Sequence, residues 1–187
     1  MTTEPQTSPE PPPSSAPSLA MWVMFVVLAA AILSLWMAKS ARPTRSHLIG
    51  RPAPDLKVEG WLNGPGPTPD DLAGKIVVID AWAYWCGYCK VDAPHLIQLY
   101  EKYKDRGVVF VGLTNEDSSS LDLSRAYLEE TGITWPQGYG AGETLEELES
   151  RGYPDLFVID RDGRLAWDMT SRESIEEVLD RLTRATK

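Results

Sequence analysis

The stretch from Ile76 to Lys90, Ile-Val-Val-Ile-Asp-Ala-Trp-Ala-Tyr-Trp-Cys-Gly-Tyr-Cys-Lys, most narrows what this chain can fold into. Its apolar start reads as a buried strand over Ile76 to Ala83. From Ala93 to Lys104, Leu96, Leu99, Tyr100 and Tyr103 recur at helical spacing until Gly107 stops them. The chain's two cysteines, Cys86 and Cys89, fall where strand turns into helix. Cysteines so close cannot staple distant segments, so the pair points to chemistry rather than scaffolding. At a helix N-terminus the Cys86 sulfur would face unpaired N–H groups and the positive end of the helix dipole. Both favour thiolate and lower the thiol pKa from about 8.5. Cys86 is the candidate nucleophile. Cys89, one turn along and expected to be more buried, is the candidate resolving thiol. An inert local disulfide is the competing reading. Zinc would want four ligands, and only His47 and His95 could supplement the cysteines, so no metal is expected. The redox-active disulfide Cys86–Cys89 would stand in for a cofactor.

The rest of the chain alternates strand and helix signals. Residues 50 to 55 are a proline-stiffened entry, followed by a possible hairpin around Trp61 with a Gly/Pro turn from Asn63 to Pro69. Val108 to Leu113 is a second buried strand, continuous in apolar character as in a sheet covered on both faces. Leu121 to Thr131 is an amphipathic helix stopped by Gly132, and a short strand is expected at Ile133 to Trp135. Thr144 and Glu147 have capping-box spacing. Leu156 to Asp160 and Leu165 to Trp167 flank an Asp162-Gly163 hairpin turn, and Thr170 with Glu173 could cap a last helix with Ile175, Val178, Leu179 and Leu182 on one face. The pattern predicts an α/β fold with a mixed sheet and no internal repeat. A net charge of −9 without clustered Lys and Arg argues against nucleic acid as a partner.

Residues 19–38 contain no charge, and a helix of twenty residues at about 1.5 Å each spans roughly 30 Å of hydrocarbon. Trp22 and Trp36 lie near its ends, where indole rings favour headgroups. A cleaved signal peptide would have a shorter apolar core and a basic leader, so an uncleaved anchor in the lipid bilayer is expected. The organisation expected is a disordered Pro-rich tail over 1–18, the transmembrane anchor over 19–38, a linker over 39–47 and a folded domain over 48–187. Lys39, Arg42, Arg45 and Arg51 follow the span and nothing basic precedes it. By the positive-inside rule this would leave the domain in the cytoplasm.

Trp82-Ala83-Tyr84-Trp85-Cys86-Gly87-Tyr88-Cys89, with Pro94 beyond, resembles the active site of the thioredoxin fold. The opening Gly50-Arg51-Pro52-Ala53-Pro54-Asp55 and the later Gly152-Tyr153-Pro154 to Phe157-Val158-Ile159-Asp160 narrow the resemblance to membrane-anchored TlpA/ResA-like thiol-disulfide oxidoreductases. It implies a central mixed sheet flanked by helices, an N-terminal hairpin extension and a central helix-strand insertion, all preceded by one transmembrane helix. Asp80 lies inside an apolar strand, where ionisation is costly and its pKa should rise; the resemblance makes it the proton acceptor for the buried Cys. Asp92 matches a position where these proteins often carry Glu near the thiols, so it is either a tuner of their pKa or an ordinary solvated helix residue. Pro154 matches the cis-proline facing the cysteines, and Tyr153, Trp85, Gly87 and Tyr88 would border the substrate. Tyr153 is bulkier than the residue usual before that proline, and Asp155 stands where Thr is common.

The activity implied is reduction of protein disulfides, as in cytochrome c maturation, recharged by a thiol-transferring membrane protein as electron donor. Gly87-Tyr88 between the cysteines differs from the Gly-Pro of thioredoxin, which leaves the direction of electron flow open between reductase and isomerase or oxidase. A copper chaperone is a further alternative, although its familiar C-x-x-x-C and distant His are missing. The resemblance puts the domain on the extracytoplasmic side, against the basic flank.

Overall fold

In a computed structural model the described residues are 18–40 and 45–185, with the side chains of 35–40 left aside. The expected 1–18 tail lies outside them except for Ser18. The chain divides into an N-terminal unit and a folded domain. In the first unit, Leu19–Ser40 (α1) is one helix of 22 residues, and every side chain described in it is exposed. The anchor expected over 19–38 is not thereby established. The described side chains end at Ser34, and among the described residues no helix is long and apolar enough to cross a membrane.

The domain is built on a mixed sheet. Its strands are Gly60–Leu62 (β1), Ile76–Ala81 (β2), Val108–Leu113 (β3), Gln137–Tyr139 (β4), Asp155–Ile159 (β5) and Leu165–Asp168 (β6), in the order β1-β4-β3-β2-β5-β6. β2, β3 and β4 run parallel, while β1, β5 and β6 each pair antiparallel to a neighbour. The helices are Pro69–Leu72 (α2), Gly87–Tyr103 (α3), Leu121–Thr131 (α4), Gly142–Glu147 (α5) and Ile175–Arg184 (α6).

All six residues of β2 are buried, and their alternation sorts them between two cores. Ile76 and Val78 join Cys89, Leu96, Leu99, Tyr103, Val178 and Leu179 on the face covered by α3 and α6. Val77, Ile79 and Ala81 join Leu113, Leu145, Leu148 and Phe157 on the other. Each Val, Leu, Ile or Phe side chain among them removed from water contributes about 1.5–3 kcal/mol, which is why the strand reads as an unbroken apolar run. Gly107 and Gly132 close their helical segments at φ of 75° and 73°, left-handed conformations in which a Cβ would be strained.

The structure departs from expectation in five places. The N-terminal hairpin does not form: β1 pairs with β4, 75 residues or more away in sequence, with Gly60 opposite Tyr139. The segment before it is engaged elsewhere, with the Gly50 N–H on the Leu165 carbonyl and the Ala53 N–H on that of Gly163. After β1, Pro65, Pro67 and Pro69 supply no N–H for a second strand. The strand expected at Ile133 to Trp135 falls instead at β4. Ile133 and Trp135 are buried as side chains in the core, and Asn63 Nδ2 donates to the Ile133 carbonyl. Thr144 does not cap α5, which starts at Gly142. Its hydroxyl accepts the Lys57 N–H at 2.8 Å and donates to the Asp55 carbonyl at 3.0 Å, pinning the entry segment. The helix this spacing would open is expected to run to about Gly152, but α5 stops at Glu147, with Glu149 in the left-handed region at φ 52°. Thr170 does not cap α6; Ser174 and Glu177 form that capping box, while Thr170 binds Asp168.

Candidate active site

β2 runs into a short turn that delivers Cys86 to the start of α3, where it is the N-cap and its Sγ accepts the N–H of Cys89 at 3.0 Å. The two sulfurs form a disulfide, with Cα atoms 5.3 Å apart. Both cysteines are nearly buried, at 4% and 3% exposure, so the expected difference in burial is absent. What separates them is position. Cys86 caps the helix and its sulfur meets the unpaired N–H groups there, whereas Cys89 lies inside the first turn.

Asp80 is 2% exposed, and its place in β2 puts it on the face of Ile76 and Val78, toward the core that contains both cysteines. Burial pushes its carboxyl up to about 7, with a smaller contribution from the negative charge of Asp92. Asp92 is thus close enough to bias Asp80. Its own carboxylate is part exposed and lies 3.6 Å from His95 Nδ1. His95 Nε2 is 2.7 Å from Glu176, which ties α3 to α6.

Around the sulfurs the rim is aromatic and open. Trp85, Tyr88 and Val91 are 61%, 80% and 79% exposed, an unusual run of large apolar side chains left in water. Gly87 has open space where a Cβ would sit. Trp85 donates Nε1 to Glu116 at 2.8 Å and meets the Tyr153 ring edge-on at 5.8 Å. The Tyr153–Pro154 peptide is cis. β5 begins next door at Asp155, opposite Ala81. The loop carrying Tyr153 and Pro154 therefore lies beside the turn that carries the cysteines. A cleft of about 430 Å³ lined by Trp85, Asn115, Glu146 and Tyr153 continues from this rim. A second cleft of the same size, lined by Ala53, Leu72, Val77 and Ile159, shares no residue with this rim.

Three contributors were not read from the sequence. Glu116 holds the Trp85 indole. Tyr127 of α4 stacks on Trp82 at 4.4 Å, roofing the turn before Cys86, and burial raises its phenol pKa. Arg45 is buried at 3% exposure and grips Asp155. Tyr127 could have been found from its place on the apolar face of α4, whereas Arg45 carried no signal beyond its charge. Among the described residues no group of three or more His, Cys, Asp and Glu is arranged to hold a metal.

Residues 49–168 match the model of the AhpC/TSA family, which is most of the chain. The chain belongs to the AhpC/TSA family. It is 30% identical over 131 residues to protein FixW of Rhizobium leguminosarum, covering 64% of this chain and 59% of that one. It is 49% identical over 119 residues to protein DipZ of Mycobacterium tuberculosis, covering 59% of this chain and 17% of that one. It is 29% identical over 132 residues to the thiol-disulfide oxidoreductase ResA of Bacillus anthracis, covering 70% and 74%. The chain thus spans under two thirds of FixW and a small part of DipZ. A solved thiol-disulfide isomerase from Corynebacterium glutamicum shares the fold, with a TM-score of 0.62 at 22% identity over 72% of this chain and 97% of that one. The chain thus has the thioredoxin fold, and among the proteins it resembles ResA is a thiol-disulfide oxidoreductase.

Proposed function

We propose that this AhpC/TSA-family protein reduces disulfides in polypeptides through the Cys86/Cys89 dithiol, as a membrane-tethered reductase of the kind used in cytochrome c maturation. The observation that carries the reading is the Cys86 sulfur at the α3 N-cap, bonded to Cys89 and accepting its N–H, with the buried Asp80 in the strand behind. In the dithiol state the Cys86 thiolate attacks a substrate disulfide. The substrate S–S bond breaks, a Cys86–substrate disulfide forms, and the leaving thiolate takes a proton. Asp80, ionised in part near pH 7, accepts the Cys89 thiol proton. The Cys89 thiolate then attacks the Cys86 sulfur, the substrate leaves as its second thiolate, and two electrons have passed from the dithiol to the substrate. Trp85, Gly87, Tyr88, Tyr153 and Pro154 border the approach, and Asp92 tunes Asp80. A thiol-transferring membrane protein would return the electrons.

One observation supports the tether and a second supports its side. α1 is apolar and exposed along its described length. Of the four basic residues that argued for a cytoplasmic domain, Arg45 is consumed in a buried ion pair and Arg51 belongs to the folded unit, its carbonyl accepting the Leu165 N–H. That leaves Lys39 and Arg42 as the flank read by the positive-inside rule. A reporter that works only outside the membrane, fused after Lys187, should be active; activity confined to a cytoplasmic reporter would reverse the sidedness.

The chemistry is tested by trapping. With Cys89→Ser, a mixed disulfide between Cys86 and a polypeptide should accumulate and be separable without reductant. Capture by Cys86→Ser instead would invert the two roles.

A further inference from the structure

Arg45 precedes the domain's first strand and reads in sequence as one of several linker cations. In the structure it passes beneath the loop that ends at Pro154. Its Nη1 and Nη2 donate to Asp155 Oδ2 and Oδ1 at 2.6 and 2.7 Å, a two-pronged pairing with the residue directly after Pro154. Nη1 also donates to the Glu149 carbonyl at 3.2 Å, at the other end of the same loop. The guanidinium lies 4.7 Å from the centroid of Phe157 and 3.7 Å from Asp168 Oδ1. Its backbone N–H donates to Thr170 Oγ1. Asp155 is held further by Ser150 Oγ at 3.0 Å. One buried cation thus clasps both ends of the segment 149–155 that carries Tyr153 and Pro154. Asp155 and Asp168, 6% and 0% exposed, both pair with this guanidinium.

We propose that Arg45 is a positioning residue for polypeptide substrates: by clasping Glu149 and Asp155 it fixes the Tyr153–Pro154 loop against which an extended substrate lies beside Cys86. This rests on the proposed reductase reading of that loop. The sulfur chemistry needs only the α3 N-cap, so the clasp governs how well a chain is held and not how readily Cys86 reacts. A small disulfide without a backbone to lay against the loop is indifferent to it. Lysine can replace the clasp only in part, since an ammonium keeps the charge but makes no fork.

The test compares the full chain in detergent with Arg45→Ala and Arg45→Lys. Steady-state kinetics would use insulin, a polypeptide disulfide, and a small aryl disulfide. Arg45→Ala should raise KM for insulin by about tenfold while the second-order rate with the aryl disulfide stays within about twofold; Arg45→Lys should give an intermediate KM at unchanged aryl disulfide rate. An insulin KM unchanged in both variants, or an equal fall with both disulfides, overturns the positioning role. If Arg45→Ala does not fold, Arg45→Lys decides by the same two readouts. Wild-type protein inert toward both disulfides would instead overturn the reductase reading on which the inference stands.

Discussion

Asp80→Asn should make the oxidised protein more stable, and increasingly so as the pH rises. In the folded chain burial keeps Asp80 protonated up to about 7. In the unfolded chain an Asp ionises near 4. Between these values the folded state still binds a proton that the unfolded state has released. The group's contribution to stability is complete below about pH 4, declines as the pH rises, and is gone above about 7, where the fold carries a buried carboxylate. At about 1.36 kcal/mol per unit over roughly three units, the total is on the order of 4 kcal/mol. About 3 kcal/mol of it falls above pH 5. Asparagine has no proton to lose, and the other ionisable groups are common to both proteins. Urea unfolding of each, followed by the fluorescence of buried Trp82, Trp135 and Trp167, should show the Asn variant gaining about 3 kcal/mol on wild type between pH 5 and pH 8. A gap constant across that range would refute the claim that a desolvated carboxylate lies behind the cysteines.

The same substitution should be costly in turnover. Without a proton acceptor for Cys89, resolution of the mixed disulfide at pH 7 should slow by about 100-fold while first attack by Cys86 is spared; quenched-flow separation of the two steps checks it. Gly112→Ala should lower stability by about 1–3 kcal/mol in thermal unfolding, because the new methyl would sit 1.6 Å from Oε1 of the fully buried Gln137.

The active-site half of the fold was legible because its signals are local. A buried strand, a cysteine at an N-cap and a helix with Leu96, Leu99 and Tyr103 on one face are written within thirty residues. The β5–β6 hairpin was equally plain from Asp162-Gly163, with Gly163 at φ 72°. Asp80 stood out because a carboxylate in an apolar strand is an anomaly whatever the fold. β1 was misread because turn residues such as Asn63 and Gly64 imply a reversal without saying which strand lies on its far side; here that partner is β4. Thr144 and Thr170 had the spacing of caps, but other hydrogen bonds claimed their hydroxyls, with Asp55 and Asp168. Arg45 was hidden most completely. Its partner Asp155 is 110 residues away, and nothing in a short basic segment marks which cation will be buried.

The most direct measurement is exchange by the two sulfurs themselves. The full chain is reduced, freed of reductant and mixed with an equimolar polypeptide disulfide; its thiols are then alkylated and mapped by mass spectrometry. The account predicts that Cys86 and Cys89 disappear together from the alkylated fraction and return as the Cys86–Cys89 disulfide, matched by two new thiols on the substrate. Both cysteines remaining alkylated beside an intact substrate disulfide would contradict it.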